Sequence, residues 1–228
     1  IHQPKLVYDT LFEATWETLQ KFGKAKAIQM GMIAVLHTWG QNLSLHPHLH
    51  CIVPGGGVDK NGVWQNIRSD GNFLFPVKAL SKVFRAKFCE KIKEKEPIKY
   101  EQIRQGLWQK PWVVFAKKPF GSPKSVVEYL GRYTHKIAIS NHRIKNVDAQ
   151  NVTFDYKDYR QEGLKKQMTL THQEFIRRFS LHILPKGFVK IRHYGFLSNT
   201  WKRQKLKLLQ LKLKVKVLGN REKKPFLP

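Results

Sequence analysis

The chain has 228 residues, 41% of them hydrophobic and 12% aromatic, enough apolar surface for the core of one large domain or two small ones. Forty-two Lys and Arg face 16 Asp and Glu for a formal charge of +26, which favours a polyanionic partner, nucleic acid first, over an anionic membrane surface or a merely solvated basic shell. No apolar run approaches the roughly 20 residues of a bilayer span, so neither a membrane span nor a signal peptide is expected; two cysteines without a C-x-x-C pair exclude a zinc ribbon and a disulfide framework and suit a reducing cytoplasm.

Pro4 to Phe22 places Leu6, Leu11, Phe12, Thr15, Leu19 and Phe22 near helical spacing, between a leading proline and Gly23, and predicts an amphipathic helix. Apolar residues run from Ile33 to Leu36, Gly40 to Ser44 form a turn, and His46 to Val53 alternate until Pro54 and the glycines 55–57. Two antiparallel strands with a short loop are expected. Val58 to Phe75, rich in Gly, Asn and Asp, is a small hairpin excursion, and Pro76 to Lys95 returns to helical spacing through Leu80, Val83, Phe84 and Phe88. Lys93 to Lys110 is mostly polar and connecting. Trp112 to Lys117 reads as a strand, after which Ser122 as N-cap and Pro123 at the first helical position open a helix to about Tyr133. Short β-type runs over Lys136 to Ser140, Arg143 to Val147 and Val152 to Tyr156 come after it. A helix from Thr171 to Ile183 is next, with Glu174 in a capping box. Beyond Asn199 lies a basic tail in which Lys and Leu alternate from Leu206 to Val217, suiting a strand or a helix equally.

His46, His48 and His50 alternate along one predicted strand, so the two-residue period puts all three on one face while Leu49 and Cys51 turn to the core. Imidazoles about 7 Å apart along a strand can converge on one metal ion; the alternative is a row of solvated histidines. On the helix after Ser122, Tyr129 and Tyr133 lie about 40° apart around the axis, on one face. Alone the pair fits a core aromatic stripe with Val126, yet Glu128, Arg132, His135 and Lys136 crowd the same turn, a setting better suited to a phosphodiester. The two constellations complement each other. A phenol of ordinary pKa near 10 attacks a phosphodiester poorly, and a cation held by paired histidines would polarise the scissile phosphate.

The run His37-Thr-Trp-Gly-Gln-Asn-Leu-Ser-Leu-His-Pro-His-Leu-His-Cys-Ile-Val-Pro-Gly-Gly-Gly57 resembles the signature of the HUH-type, two-tyrosine transposases of the insertion sequence ninety-one family. Tyr129-Leu-Gly-Arg-Tyr-Thr-His-Lys136 is similar to that family's tyrosine motif, and Arg192-His-Tyr-Gly-Phe-Leu-Ser-Asn199 to its third hallmark. The resemblance implies an α+β fold of the HUH endonuclease type, related to ferredoxin, with an antiparallel sheet flanked by helices and the histidine strand central. It implies a catalytic domain over residues 1–200 and a basic tail over 201–228. The implied activity is rolling-circle transposition in the cytoplasm, at the nucleoid, with single-stranded DNA at transposon ends as partner and no membrane. By that resemblance His48 and His50 match the metal-binding pair, and Tyr129 and Tyr133 the two nucleophiles, each leaving a 5′-phosphotyrosine and a free 3′-OH.

Gln41, His37 and His46 are available as a third ligand. Gln41, at the end of the preceding strand, is the first choice because related replication nucleases place an acidic ligand at a similar offset. An amide oxygen beside two imidazoles suits Mg²⁺ or Mn²⁺, whereas a tight Zn²⁺ site would be richer in His or thiolate. Arg132, Lys136 and Arg143 are candidate contacts to a DNA backbone, or an ordinary basic face. The glycines 55–57 fit a hairpin turn better than a phosphate cradle. Trp39, Trp64, Trp112 and Trp201 either stack unpaired bases or fill the core. The family's zinc ribbon and first strand are not seen before Pro4, so an empty sheet slot is expected, with the Leu206 to Val217 segment as its spare filler. A catalytically inactive DNA-binding remnant, and a relaxase or replication initiator using the same chemistry, stay open.

Overall fold

Pro4 starts α1 (Pro4–Lys24), where its missing N–H costs nothing because first-turn amides have no helical partner. The computed structural model describes residues 3–67, 74–134, 137–204 and 206–214, a mixed α+β arrangement with antiparallel sheets and seven α-helices. The buried face of α1, with Tyr8, Leu11, Phe12, Ala14 and Leu19, packs in one core with Met30, Met32, Ala34 and Leu36. Those last three belong to β1 (Gly31–Trp39), which pairs with β2 (Leu45–Ile52) on one side and β8 (Ile191–Gly195) on the other. The order is β2-β1-β8, so β1 is the middle strand and the histidine strand β2 lies at an edge of the described sheet, not at its centre as expected. The residue pattern explains this. β1 is almost continuously apolar and buried on both faces, as a central strand must be, while β2 alternates half-exposed imidazoles with apolar residues.

α2 (Val77–Lys95) lies against α1, with Lys91 and Lys95 paired to Glu13 and Glu17 across the contact. The segment expected to be a polar connection is instead α3 (Pro97–Gln109), opened by Pro97 and anchored by buried Tyr100; too few apolar positions repeat for its sequence to show a stripe. Residues 111–120, expected to begin with a strand, pair with no described strand. Trp112 goes edge-on to Phe84 at 5.2 Å and tilts onto Phe88 at 4.9 Å, so its apolarity serves a helix contact. The expected excursion holds the hairpin β3 (Gly56–Val58) and β4 (Trp64–Asn66); its residues 68–73 lie outside the described part. A Cβ on Gly57 would lie 2.5 Å from the Gln29 carbonyl, so close backbone packing requires that glycine.

A second antiparallel sheet, β5 (Ile144–Val147), β6 (Asn151–Asp158) and β7 (Leu164–Thr171), forms a meander in that order. Of the β-type run expected before it, Lys136 lies outside the described residues and 137–140 are not a strand; Ala138 and Ile139 are buried in a small core with Leu43 and Phe154. α5 (His172–Ser180) comes directly after β7, with Thr171 as N-cap accepting from the Glu174 amide at 3.3 Å. The described part of the tail is helical, α6 (Asn199–Gln204) and α7 (Leu206–Lys212), and Leu209 is buried with Val58 and Phe196; residues 215–228 lie outside the description. No described helix is long and apolar enough to cross a membrane.

Candidate active site

The β1–β2 hairpin sets His37 opposite His48 and Val35 opposite His50. Directly paired residues share a sheet face, and so do residues two apart, so three imidazoles meet on one side of the hairpin. The candidate ligand nitrogens of His37, His48 and His50 all lie within 4.8 Å of one another. Ring centroids are 4.5 Å apart for His37 and His50, 5.0 Å for His48 and His50, and 5.6 Å for His37 and His48. His37 is buried and the other two are half-buried. His46 continues the row, its ring 5.2 Å from that of His48 and exposed.

Backbone carbonyls fix the tautomers of two of these rings. His37 Nε2 donates to the Tyr133 carbonyl at 2.9 Å and His48 Nδ1 donates to the His46 carbonyl at 2.7 Å. A carbonyl only accepts, so a proton is on those nitrogens, and a neutral ring would then offer Nδ1 of His37 or Nε2 of His48 to a cation. Metal-binding imidazoles are oriented in this way, with the non-ligating N–H held by a carbonyl. The donor set therefore fits a cation.

α4 (Pro123–Thr134) covers the cluster. Ser122 Oγ accepts from the Ser125 amide at 3.2 Å, the cap its sequence predicts. Tyr129 and Tyr133 share a helix face with centroids 4.3 Å apart. Tyr133 lies 4.0 Å from the His50 ring, and the Tyr129 hydroxyl is 3.3 Å from His50 Nδ1. Burial pushes the Tyr129 phenol up to about 12, helped by Tyr133 and Cys51 nearby. On the opposite face of β2, burial pushes the Cys51 thiol up to about 12 as well, which makes it a packing residue rather than a nucleophile.

Four of the residues named from sequence, His48, His50, Tyr129 and Tyr133, thus come together. Gln41 does not extend a strand toward them: β1 ends at Trp39 and Gln41 sits in the turn, its carbonyl accepting from Arg143. His37, named beside it as an available ligand, lies with His48 and His50 in the cluster. The signal for it was the hairpin register, since a turn folded about Asn42 and Leu43 must bring His37 to His48. Arg143, expected as a contact to a DNA backbone, lies against the turn and the meander. Its half-buried guanidinium donates to the carbonyls of Asp155 at 2.8 Å, Ala138 at 3.4 Å and Gln41. Arg132 is exposed on α4, and Lys136 lies outside the described residues. Of the four tryptophans singled out in the sequence, Trp39 is at the site, stacked on His37 at 4.6 Å; Trp64 and Trp201 pack on Phe196, and Trp112 on α2. Arg192 of the third motif pairs with Asp9 and lies 4.2 Å over the Phe12 ring, so it ties β8 to α1.

Fold and site together define a strongly basic α+β protein built around an imidazole cluster facing two phenols. Residues 31–205 match the family model Y2_Tnp, described as "Putative transposase", and the chain belongs to that transposase family. It is 44% identical over 220 residues to "Putative transposase y4qJ" of Sinorhizobium fredii (strain NBRC 101917 / NGR234), covering 88% of this chain and 55% of that one. It is 28% identical over 240 residues to the "Transposase for insertion sequence element IS801" of Pseudomonas savastanoi pv. phaseolicola, covering 96% of this chain and 56% of that one. The chain thus spans about half the length of the curated relatives it matches. No solved structure matches it.

Proposed function

We propose that this chain carries the catalytic centre of an HUH-type, two-tyrosine transposase that cleaves and rejoins single-stranded DNA in rolling-circle transposition. The observation that carries the proposal is the stacking of the Tyr129 and Tyr133 face of α4 onto the His37, His48 and His50 cluster, with His50 touching both phenols. In each cleavage a tyrosine Oη bonds to phosphorus and the P–O3′ bond breaks. The phenol gives up its proton and the departing oxygen takes one, which leaves a 5′-phosphotyrosine and a free 3′-OH.

His37, His48 and His50 would hold the divalent cation, which when bound acts as a Lewis acid on the phosphate. Three nitrogen donors favour a cation that accepts imidazole, so of the two expected ions Mn²⁺ suits the set better than Mg²⁺. The protein's own groups do the rest. Tyr133, through its carbonyl, orients His37; Trp39 covers that ring; the excess of Lys and Arg draws in the DNA backbone. The raised pKa of Tyr129 keeps both its proton and its neutrality until substrate and cation are in place.

Incubation with end-labelled single-stranded transposon-end DNA and Mn²⁺ tests this. A denaturation-resistant protein–DNA adduct is expected, mapping by mass spectrometry to Tyr129 or Tyr133. No adduct, or an adduct elsewhere, refutes the proposal.

A further inference from the structure

The β1–β2 turn, residues 40–44, is gripped from outside the hairpin. The carbonyls of Gln41, Asn42 and Leu43, three in succession, each accept a hydrogen bond from a residue of the 143–182 region: Gln41 from Arg143 Nη2 at the edge of the meander, Asn42 from Arg178 Nη1 of α5 at 3.3 Å, and Leu43 from His182 Nε2 at 3.2 Å. His182 Nδ1 in turn accepts from Thr38 Oγ1 at 3.3 Å, on β1 next to His37. Between these contacts Leu43 is 0% exposed in the left-handed backbone region, φ 61, its side chain sunk among Ala138, Ile139 and Phe154. A leucine adopts that conformation at a cost, which burial and the three hydrogen bonds offset.

We propose that Arg143, Arg178 and His182 are positioning residues that hold the β1–β2 turn and thereby the approach of His37 to His48. The proposal rests on the metal-binding role of the histidine cluster. Thr38 and Gly40 connect His37 to the turn, Ser44 and Leu45 connect it to the histidine strand, and the ladder carries a bulge between His37 and Trp39, where register is least fixed by pairing alone. External hydrogen bonds supply what the ladder lacks there. The 143–182 region thus reaches the histidine hairpin without contributing a ligand to it.

Arg177 and Arg178 give an internal control. Both pair with Glu174, at 2.6 Å, whose carboxyl they hold down at about 2, but Arg178 alone of the two has a hydrogen bond to the turn. Removing either positive charge should, by charge alone, slightly strengthen cation binding. Positioning predicts the opposite for Arg178. Mn²⁺ titration of the whole chain, read by electron paramagnetic resonance, should show affinity roughly tenfold weaker in Arg178→Met, the lower end of the loss on removing an outer support of metal ligands. Arg178→Lys should fall between, and Arg177→Met should match the wild type; if Arg178→Met does not fold, Arg178→Lys against Arg177→Lys makes the same comparison. Wild-type affinity in the Arg178 variants, or an equal loss in the Arg177 variants, overturns the positioning role alone. Failure of the wild type itself to bind Mn²⁺ overturns the metal role and this inference with it.

Discussion

The histidine hairpin and the tyrosine helix face each other across a few ångströms, yet they are anchored in different ways. His37 is 2% exposed in the middle strand of a sheet whose apolar residues lie in the main core, and its hairpin is closed by ladder hydrogen bonds and by three side chains on its turn. α4 has no buried residue; its tyrosines rest on His37, His50 and each other, and Val127 on it is 68% exposed. The half that would hold a cation is preorganised by packing, and the half that would supply the nucleophile is docked through aromatic contacts and hydrogen bonds to His37 and His50. Metal geometry tolerates little displacement, whereas a helix that would offer two alternative nucleophiles would gain from being able to shift.

This contrast can be broken by experiment. The largest effect is expected from His48→Ala, which should lower adduct formation at least about 100-fold while leaving single-stranded DNA binding nearly intact, since chemistry needs the electrostatic stabiliser and affinity comes from the basic surface. Labelled-DNA gels and a filter-binding titration read the two separately. Next, Tyr129→Phe and Tyr133→Phe should each remove the adduct at the substituted position and change stability by about 1 kcal/mol or less, because the ring and its contacts persist. Mass spectrometry of trapped adducts and thermal melts check both parts. Gly131, on α4 with open space where a Cβ would go, should gain about 0.5–1 kcal/mol on replacement by Ala, the ordinary helix preference. A loss instead would mean that α4 is packed more tightly than its exposure indicates.

The smallest effect concerns pH. Burial lowers the His182 pKa below the usual 6.5, so the folded state prefers the neutral ring. As pH falls through the ordinary histidine range the unfolded chain takes up the proton first, and stability drops until the folded pKa is passed. Melting temperatures at pH 7.5 and 5.5 should therefore differ less in His182→Gln than in the wild type.

Local patterns in this chain were readable where they act locally. Alternation of His46, His48 and His50 places them on one strand face, the four-residue spacing of Tyr129 and Tyr133 places them on one helix face, and Ser122 and Thr171 cap the helices they precede. What escaped depends on tertiary partners. β7 reads Leu-Lys-Lys-Gln-Met-Thr-Leu-Thr, half polar, and becomes a strand because β6 pairs with it along its whole length. β8 holds His193 and Arg192 amid its few apolar residues and is a strand because β1 offers an edge. Chain offset favours Gln41 as the third ligand, whereas the register of the hairpin, which sets His37 opposite His48, is what brings His37 to the cluster. Arg143 has the sequence context of a DNA contact, and its half-burial beside three carbonyls depends on partners that its local sequence does not show. The order of β1 and β2 within the sheet likewise comes from which strand is apolar on both faces, a comparison that the histidine motif by itself does not invite.

Three imidazoles sharing one cation would be the chemical heart of the proposed site. Electron spin-echo spectroscopy of Mn²⁺ bound to the protein labelled with ¹⁵N-histidine measures that sharing without DNA or turnover. The expected result is one bound Mn²⁺ coupled to three imidazole nitrogens, one coupling lost in His37→Ala and none in Gln41→Ala. Absence of imidazole coupling, or loss of Mn²⁺ affinity in Gln41→Ala with His37→Ala unchanged, would contradict it.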